Sequence, residues 1–128
     1  MSFAEPTDGG RIVYETSPQH GETGLLNGTV MPGDPVYHDG TGWARSDAST
    51  DATPCHMIAV NGGVAGEYID VVSEAFIDFG SSCTATLGSH LYLSDTAGDY
   101  SASAGTVTRV VGKMLTAQRA HVWGVHSM

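Results

Sequence analysis

The sequence predicts an all-β domain: a small β-barrel or sandwich built from two pseudo-repeated halves, with an extended N-terminal arm. Three observations carry that expectation. Glycine is abundant, at 17 of 128 residues, while charged residues make up only 15%; glycine supplies the positive-φ positions that tight turns between short strands demand. From Leu25 onward, short β-type runs alternate with turn clusters. The same order of hairpin, strand and strand is also written twice at nearly constant spacing.

Residues 1–24 read as the arm. They are polar and punctuated by Pro6, Gly9, Gly10, Pro18 and Gly21, and break once into an apolar run, Arg11-Ile12-Val13-Tyr14. That run has the character of a strand that adds to a sheet edge, of a neighbouring subunit or of the module itself. Residues 25–128 read as the domain. Its clearest segment is Glu67 to Phe79, where Ile69, Val71, Ser73, Ala75, Ile77 and Phe79 alternate with a set containing Asp70, Glu74 and Asp78. Period-two alternation sends the first set inward and the acids outward, with a bend expected near Ser73. Further strands are expected at Val36–His38, Trp43–Arg45, His56–Val60, His90–Leu93, Tyr100–Ala102, Val107–Leu115 and His121–Val125. Val110, Val111, Met114 and Leu115 also fit a helical spacing, but Gly112 and the β-branched approach Thr106-Val107-Thr108 argue for strand.

The repeat sets Pro32-Gly33-Asp34-Pro35-Val36-Tyr37 against Leu87-Gly88-Ser89-His90-Leu91-Tyr92 at an offset of 55. Met57–Val60 then matches Val111–Met114 at 54, and Tyr68–Val72 matches His121–Val125 at 53. Two such halves would close a small barrel or sandwich and hide unpaired edges.

Composition limits the partners. At 13.3 kDa the chain suits one hydrophobic core. Its net charge of −9, from 14 acids against 5 bases, disfavours nucleic acid and anionic membranes, whose affinity rests on Lys and Arg. No apolar run approaches the ~20 residues that cross a bilayer. Met1–Pro6 shows neither the basic nor the apolar region of a signal peptide, so synthesis and folding in the cytoplasm are expected. Cys55 and Cys83 lack metal-type spacing and read as reduced, buried small residues.

Catalytic chemistry finds little footing. His20, His38, His56, His90, His121 and His126 form neither H-x-H nor H-E-x-x-H, so no metal or cofactor is expected. The acids of Ser46–Asp51 and Asp95–Asp99 depart from the calcium-loop pattern and suit turn capping. There is no nucleophile elbow. Trp43 and Trp123 are expected in the core or at a subunit interface, because tryptophan carries a large apolar area.

The order of segments resembles the capsid cement, or head decoration, proteins of tailed bacteriophages. The resemblance rests on Gly33-Asp34-Pro35-Val36, the turn Asp39-Gly40-Thr41-Gly42, the Ala/Thr/Asp-rich stretch 46–53, Met57-Ile58-Ala59-Val60, and Ala65-Gly66-Glu67-Tyr68-Ile69-Asp70-Val71. The second half restates it in Leu87 to Leu93 and in Val111-Gly112-Lys113-Met114-Leu115. It covers about residues 28 to 126. Ile58 stands where the family pattern has glycine and Ser89 where it has aspartate. The resemblance implies a non-enzymatic virion protein on the outer capsid surface, bridging neighbouring major capsid subunits, often as a homotrimer. In that setting Arg11, Ile12, Val13 and Tyr14 are the candidate capsid-binding residues. The rival reading is a carbohydrate- or receptor-binding β-module, such as a head fibre or tail accessory domain, using Trp43, Tyr92 or Tyr100 on an exposed face. A small metal-dependent enzyme would need its histidines to converge.

Overall fold

The computed structural model describes residues 12–15, 21–79, 88–116 and 118–124, and every regular element among them is a β-strand. The chain runs through β1 (Ile12–Glu15), β2 (Gly21–Leu25), β3 (Pro35–His38), β4 (Trp43–Arg45), β5 (Met57–Ala59) and β6 (Tyr68–Val72). It continues through β7 (Glu74–Asp78), β8 (His90–Leu93), β9 (Tyr100–Ser101), β10 (Val110–Met114) and β11 (Arg119–Trp123). Two antiparallel sheets result: a five-stranded sheet in the order β2-β6-β5-β3-β4 and a six-stranded sheet in the order β1-β7-β11-β10-β8-β9.

The duplication expected from the sequence is present in the topology. With each half's five strands counted in chain order, β2 to β6 and β7 to β11 both lie in the spatial order first, fifth, fourth, second, third. Val36 and Leu91 occupy the same place, Val36 opposite Met57 and Leu91 opposite Gly112. The turns ahead of them are also copies. Gly33 and Gly88 both sit at φ 81°, where a Cβ would be strained. The N–H of Gly33 donates to the Ala59 carbonyl at 2.8 Å, and that of Gly88 to the Met114 carbonyl at 2.9 Å.

Two of the sequence offsets shift. A β-bulge between Val110 and Gly112 turns two successive residues inward, so Met57 corresponds to Gly112 rather than to Val111. The bulge also explains the helix-like spacing of Val110, Val111 and Met114. Ile58 pairs with Val72 and its counterpart Lys113 with His121, so the last strands stand 49 apart instead of 53. A shift of four leaves the inward and outward faces unchanged.

The N-terminal region is less separate than its composition suggests. β1 pairs with β7 at Ile12↔Asp78 through Glu15↔Ala75, on the chain's own six-stranded sheet. β2 pairs along its whole length with β6, so a boundary after residue 24 falls inside a strand. Gly21-Glu22-Thr23-Gly24-Leu25 shows no alternation, and Gly24 serves a close approach instead: a Cβ there would overlap the Trp43 indole.

The strand pair β6–β7 is one extended run that changes sheet at buried Ser73. Before the bend, Ile69 and Val71 enter a cluster enclosed by the five-stranded sheet, with Leu26, Val30, Val36, Trp43, Met57 and Ala59. After it, Ala75, Ile77 and Phe79 enter a second cluster with Leu91, Leu93, Tyr100, Met114 and Val122. Ile58, Val72 and Cys55 of the first half point into that second cluster. The five-stranded sheet is therefore apolar on both faces, and the inner face of the six-stranded sheet packs on its outer face. The five-stranded sheet curls until its two edges meet at one parallel bridge, Leu26↔Trp43. Among the described residues the arrangement is a small sandwich with one strongly curled layer.

Polar contacts lock the halves. The buried Tyr100 hydroxyl donates to the Gly33 carbonyl at 2.6 Å, the Ala48 N–H to Ser94 O at 2.8 Å, and the Gly98 N–H to Ser46 O at 2.9 Å. Asp34, fully buried, accepts from Arg45 Nε at 2.6 Å and from the Met31 N–H at 2.8 Å. Gly98 leaves room for the Arg45 stem, which a Cβ there would meet at 2.9 Å.

Candidate interaction surface

The outer face of the six-stranded sheet carries the exposed aromatic and basic side chains of the second half. Strand register puts Tyr14, Phe76, His121, Lys113 and His90 in one row across β1, β7, β11, β10 and β8. Phe76 is 40% exposed and Leu115 46%. With Ile77 and Arg119 these two line a groove of about 280 Å³. The His121 ring lies 5.2 Å from Phe76 and 5.4 Å from half-buried Trp123, and its Nε2 stands 3.4 Å from Glu74 Oε2. Arg119 Nε donates to Asp78 Oδ2 at 3.2 Å. His90 and Tyr92 form a further ring pair at 6.3 Å.

The residues singled out in the sequence are distributed as follows. Ile12, Val13 and Tyr14 lie on β1 at the edge of this same sheet, Val13 packs against the core beneath, and Arg11 lies outside the described residues. Trp43 is a core residue, 4% exposed, whereas Trp123 lies on the outer face beside His121. Tyr100 is fully buried. His38 and His56 meet through a donation from the His38 N–H to His56 Nδ1 at 3.2 Å. His90 and His121 are separated by the strand that carries Lys113. His20 and His126 fall outside the described residues. Among the described residues no group of three or more His, Cys, Asp or Glu side chains is placed to hold a metal ion.

The acid-rich loops cap their own turns. Asp39 accepts from the Thr41 and Gly42 N–H groups at 3.0 Å and from Asn27 Nδ2. Those bonds, that from the Thr41 backbone foremost, hold its carboxyl well below the usual range. Asp95 accepts from the Thr106 N–H and hydroxyl, both at 2.8 Å, beside a hydroxyl-lined hollow of about 270 Å³. In that hollow Ser94 and Ser101 accept from the N–H groups of Thr96 and Ser103. Cys55 is a buried free thiol whose pKa burial pushes up to about 12, so it is no nucleophile in the folded chain. Cys83 lies outside the described residues.

No known family model, curated protein or solved structure matches this chain.

The Phe76–Leu115 groove was missed in the sequence. The available signal was Phe76 itself, an apolar residue on the outward parity of β7, between Glu74 and Asp78. A single outward apolar residue is common on a surface, and only the tertiary structure joins Phe76 to Leu115 in one groove.

Proposed function

We propose that this chain is a capsid decoration protein of a tailed bacteriophage, held on the outer surface of the head, where it bridges neighbouring major capsid subunits. One observation carries the reading. The motifs that resemble the cement family are the turns and strands that hold equivalent places in the two halves, Gly33 with Gly88 and Val36 with Leu91. The work is mechanical rather than catalytic. Many copies, as homotrimers in this reading, each make modest contacts that become strong when made together. An acidic protein on the outside of the shell needs no affinity for the packaged DNA.

A glycan-binding module is less well supported. Trp43 and Tyr100, two of the three aromatic residues it would use, are buried in the two core clusters.

The test uses shells assembled from the major capsid protein encoded in the same genome and made without this chain. Purified protein added to the shells is expected to co-sediment at a fixed ratio to capsid subunits and to raise the temperature at which they rupture. Absence of binding, or binding that leaves rupture unchanged, refutes the reading.

A further inference from the structure

The two halves stack in one direction. The outward residues of the first half, Pro35, Ile58 and Val72, are buried, and Ile58 and Val72, with Val60 packed alongside, lie against the inner face of the second half. The register equivalences place His90, Lys113 and His121 at the matching positions of the second half, and Leu115 matches Val60. The outer face of the six-stranded sheet is thus the counterpart of the surface through which the first half already binds a protein layer. It keeps apolar relief in Phe76, Leu115 and Trp123 but carries one lysine and two imidazoles where the first half has Ile58, Pro35 and Val72. A terminal face of a stacked array is normally made polar to stop further stacking. This one is only partly so.

Its charge differs from that of the chain as a whole. Among the described residues of this face, Asp78 is paired with Arg119, and Glu74 stands 3.4 Å from the His121 imidazole. Exposed Lys113 has imidazoles, His121 and His90, as its register partners on both sides. With Lys113 and Arg119 set against Glu74 and Asp78, the described face is balanced in charge within a chain of net charge −9, and Lys113 is the cation on it with no carboxylate as register partner.

Building on the proposed function, we propose that the chain docks on the capsid through this outer face. The occupant is a capsid-protein segment that offers an apolar side chain to the Phe76–Leu115 groove and a carboxylate to Lys113. β1, the candidate capsid-binding strand, lies at the edge of the same sheet, with Tyr14 in register with Phe76. The apolar anchor supplies most of the affinity and the Lys113 contact supplies orientation.

The experiment is co-sedimentation with the same shells, comparing the wild type with Phe76→Ser/Leu115→Ser, with Lys113→Glu, and with Tyr68→Ser. Tyr68 is a 69% exposed aromatic residue on the five-stranded sheet and serves as the control. The double variant is expected to lose affinity about tenfold or more. Lys113→Glu is expected to lose affinity severalfold at low salt and less at high salt, and Tyr68→Ser to bind as wild type. Circular dichroism melting establishes that each variant is folded, and Lys113→Glu alone decides the matter should the double variant not fold. If the wild type binds and folded Lys113→Glu and the double variant bind equally well, the docking face is wrong while the function stands. If the wild type itself does not bind, the function falls and the docking face with it.

Discussion

At the scale of single residues, two carboxylates have opposite surroundings. Asp34 is buried and charged, tied to Arg45 and to the Met31 N–H. Arg45→Ala leaves that carboxylate without its counter-charge, and removing one partner of a buried pair costs about 3–5 kcal/mol. The Arg45 side chain is 26% exposed, so water softens the loss toward the lower figure. Urea unfolding is expected to show a fall of about 3 kcal/mol. Asp39 is fully exposed, and its depressed pKa comes from turn hydrogen bonds. A group whose folded pKa lies below its unfolded value stabilises the fold above the unfolded value, about 3.9 for aspartate. That stabilisation is lost as pH falls through the folded value. Asp39→Ala is therefore expected to be less stable than wild type at pH 7, with the gap closing steadily below about pH 4. A gap that stayed constant down to pH 2 would mean that the carboxylate charge is irrelevant to the turn.

At the scale of elements, β2 shows how a strand can exist without a strand's sequence. Its side-chain pattern carries no alternation, yet it pairs in full with β6 because Gly24 offers a bare backbone to the Trp43 ring. Gly24→Val fills the space the indole occupies, and such overpacking typically costs about 1–3 kcal/mol. Trp43 should be displaced toward solvent, which a red shift in tryptophan emission would register above the fixed contribution of half-exposed Trp123. An unshifted spectrum with unchanged stability would mean that the indole has other room. β10 teaches the converse. Its residues suit both helix and strand, and the bulge between Val110 and Gly112 reconciles their spacing with an antiparallel ladder.

At the scale of the whole molecule, both halves contribute to the second core cluster and are expected to unfold together. Ile58 belongs by sequence to the first half but is buried with Ala75, Ile77, Leu91 and Val122 of the second. Ile58→Ala should cost about 2–4 kcal/mol by opening a cavity between the sheets. Its far-ultraviolet and tryptophan-emission transitions should still coincide, as they do when unfolding is two-state. Separate transitions for Trp43, which lies in the first cluster, and for the β-sheet signal would show that the halves are independent modules.

The all-β class, the bend at Ser73, most strand positions and the duplication were legible in the sequence because they follow from local rules. Alternation at period two, glycine at turns and repetition at a near-constant offset all act over a few neighbouring residues. The candidate site was legible only in part. β1 was visible as an apolar run, whereas the Phe76–Leu115 groove joins residues 39 positions apart on strands β7 and β10–β11 that only the sheet order brings together. Local pattern was equally silent on which face of a half is covered. Ile58 and Lys113 hold equivalent places with identical strand parity, and one is buried while the other is exposed. That difference was decided by the direction in which the two halves stack, a long-range packing choice set by the total apolar surface to be hidden rather than by the residues of either strand.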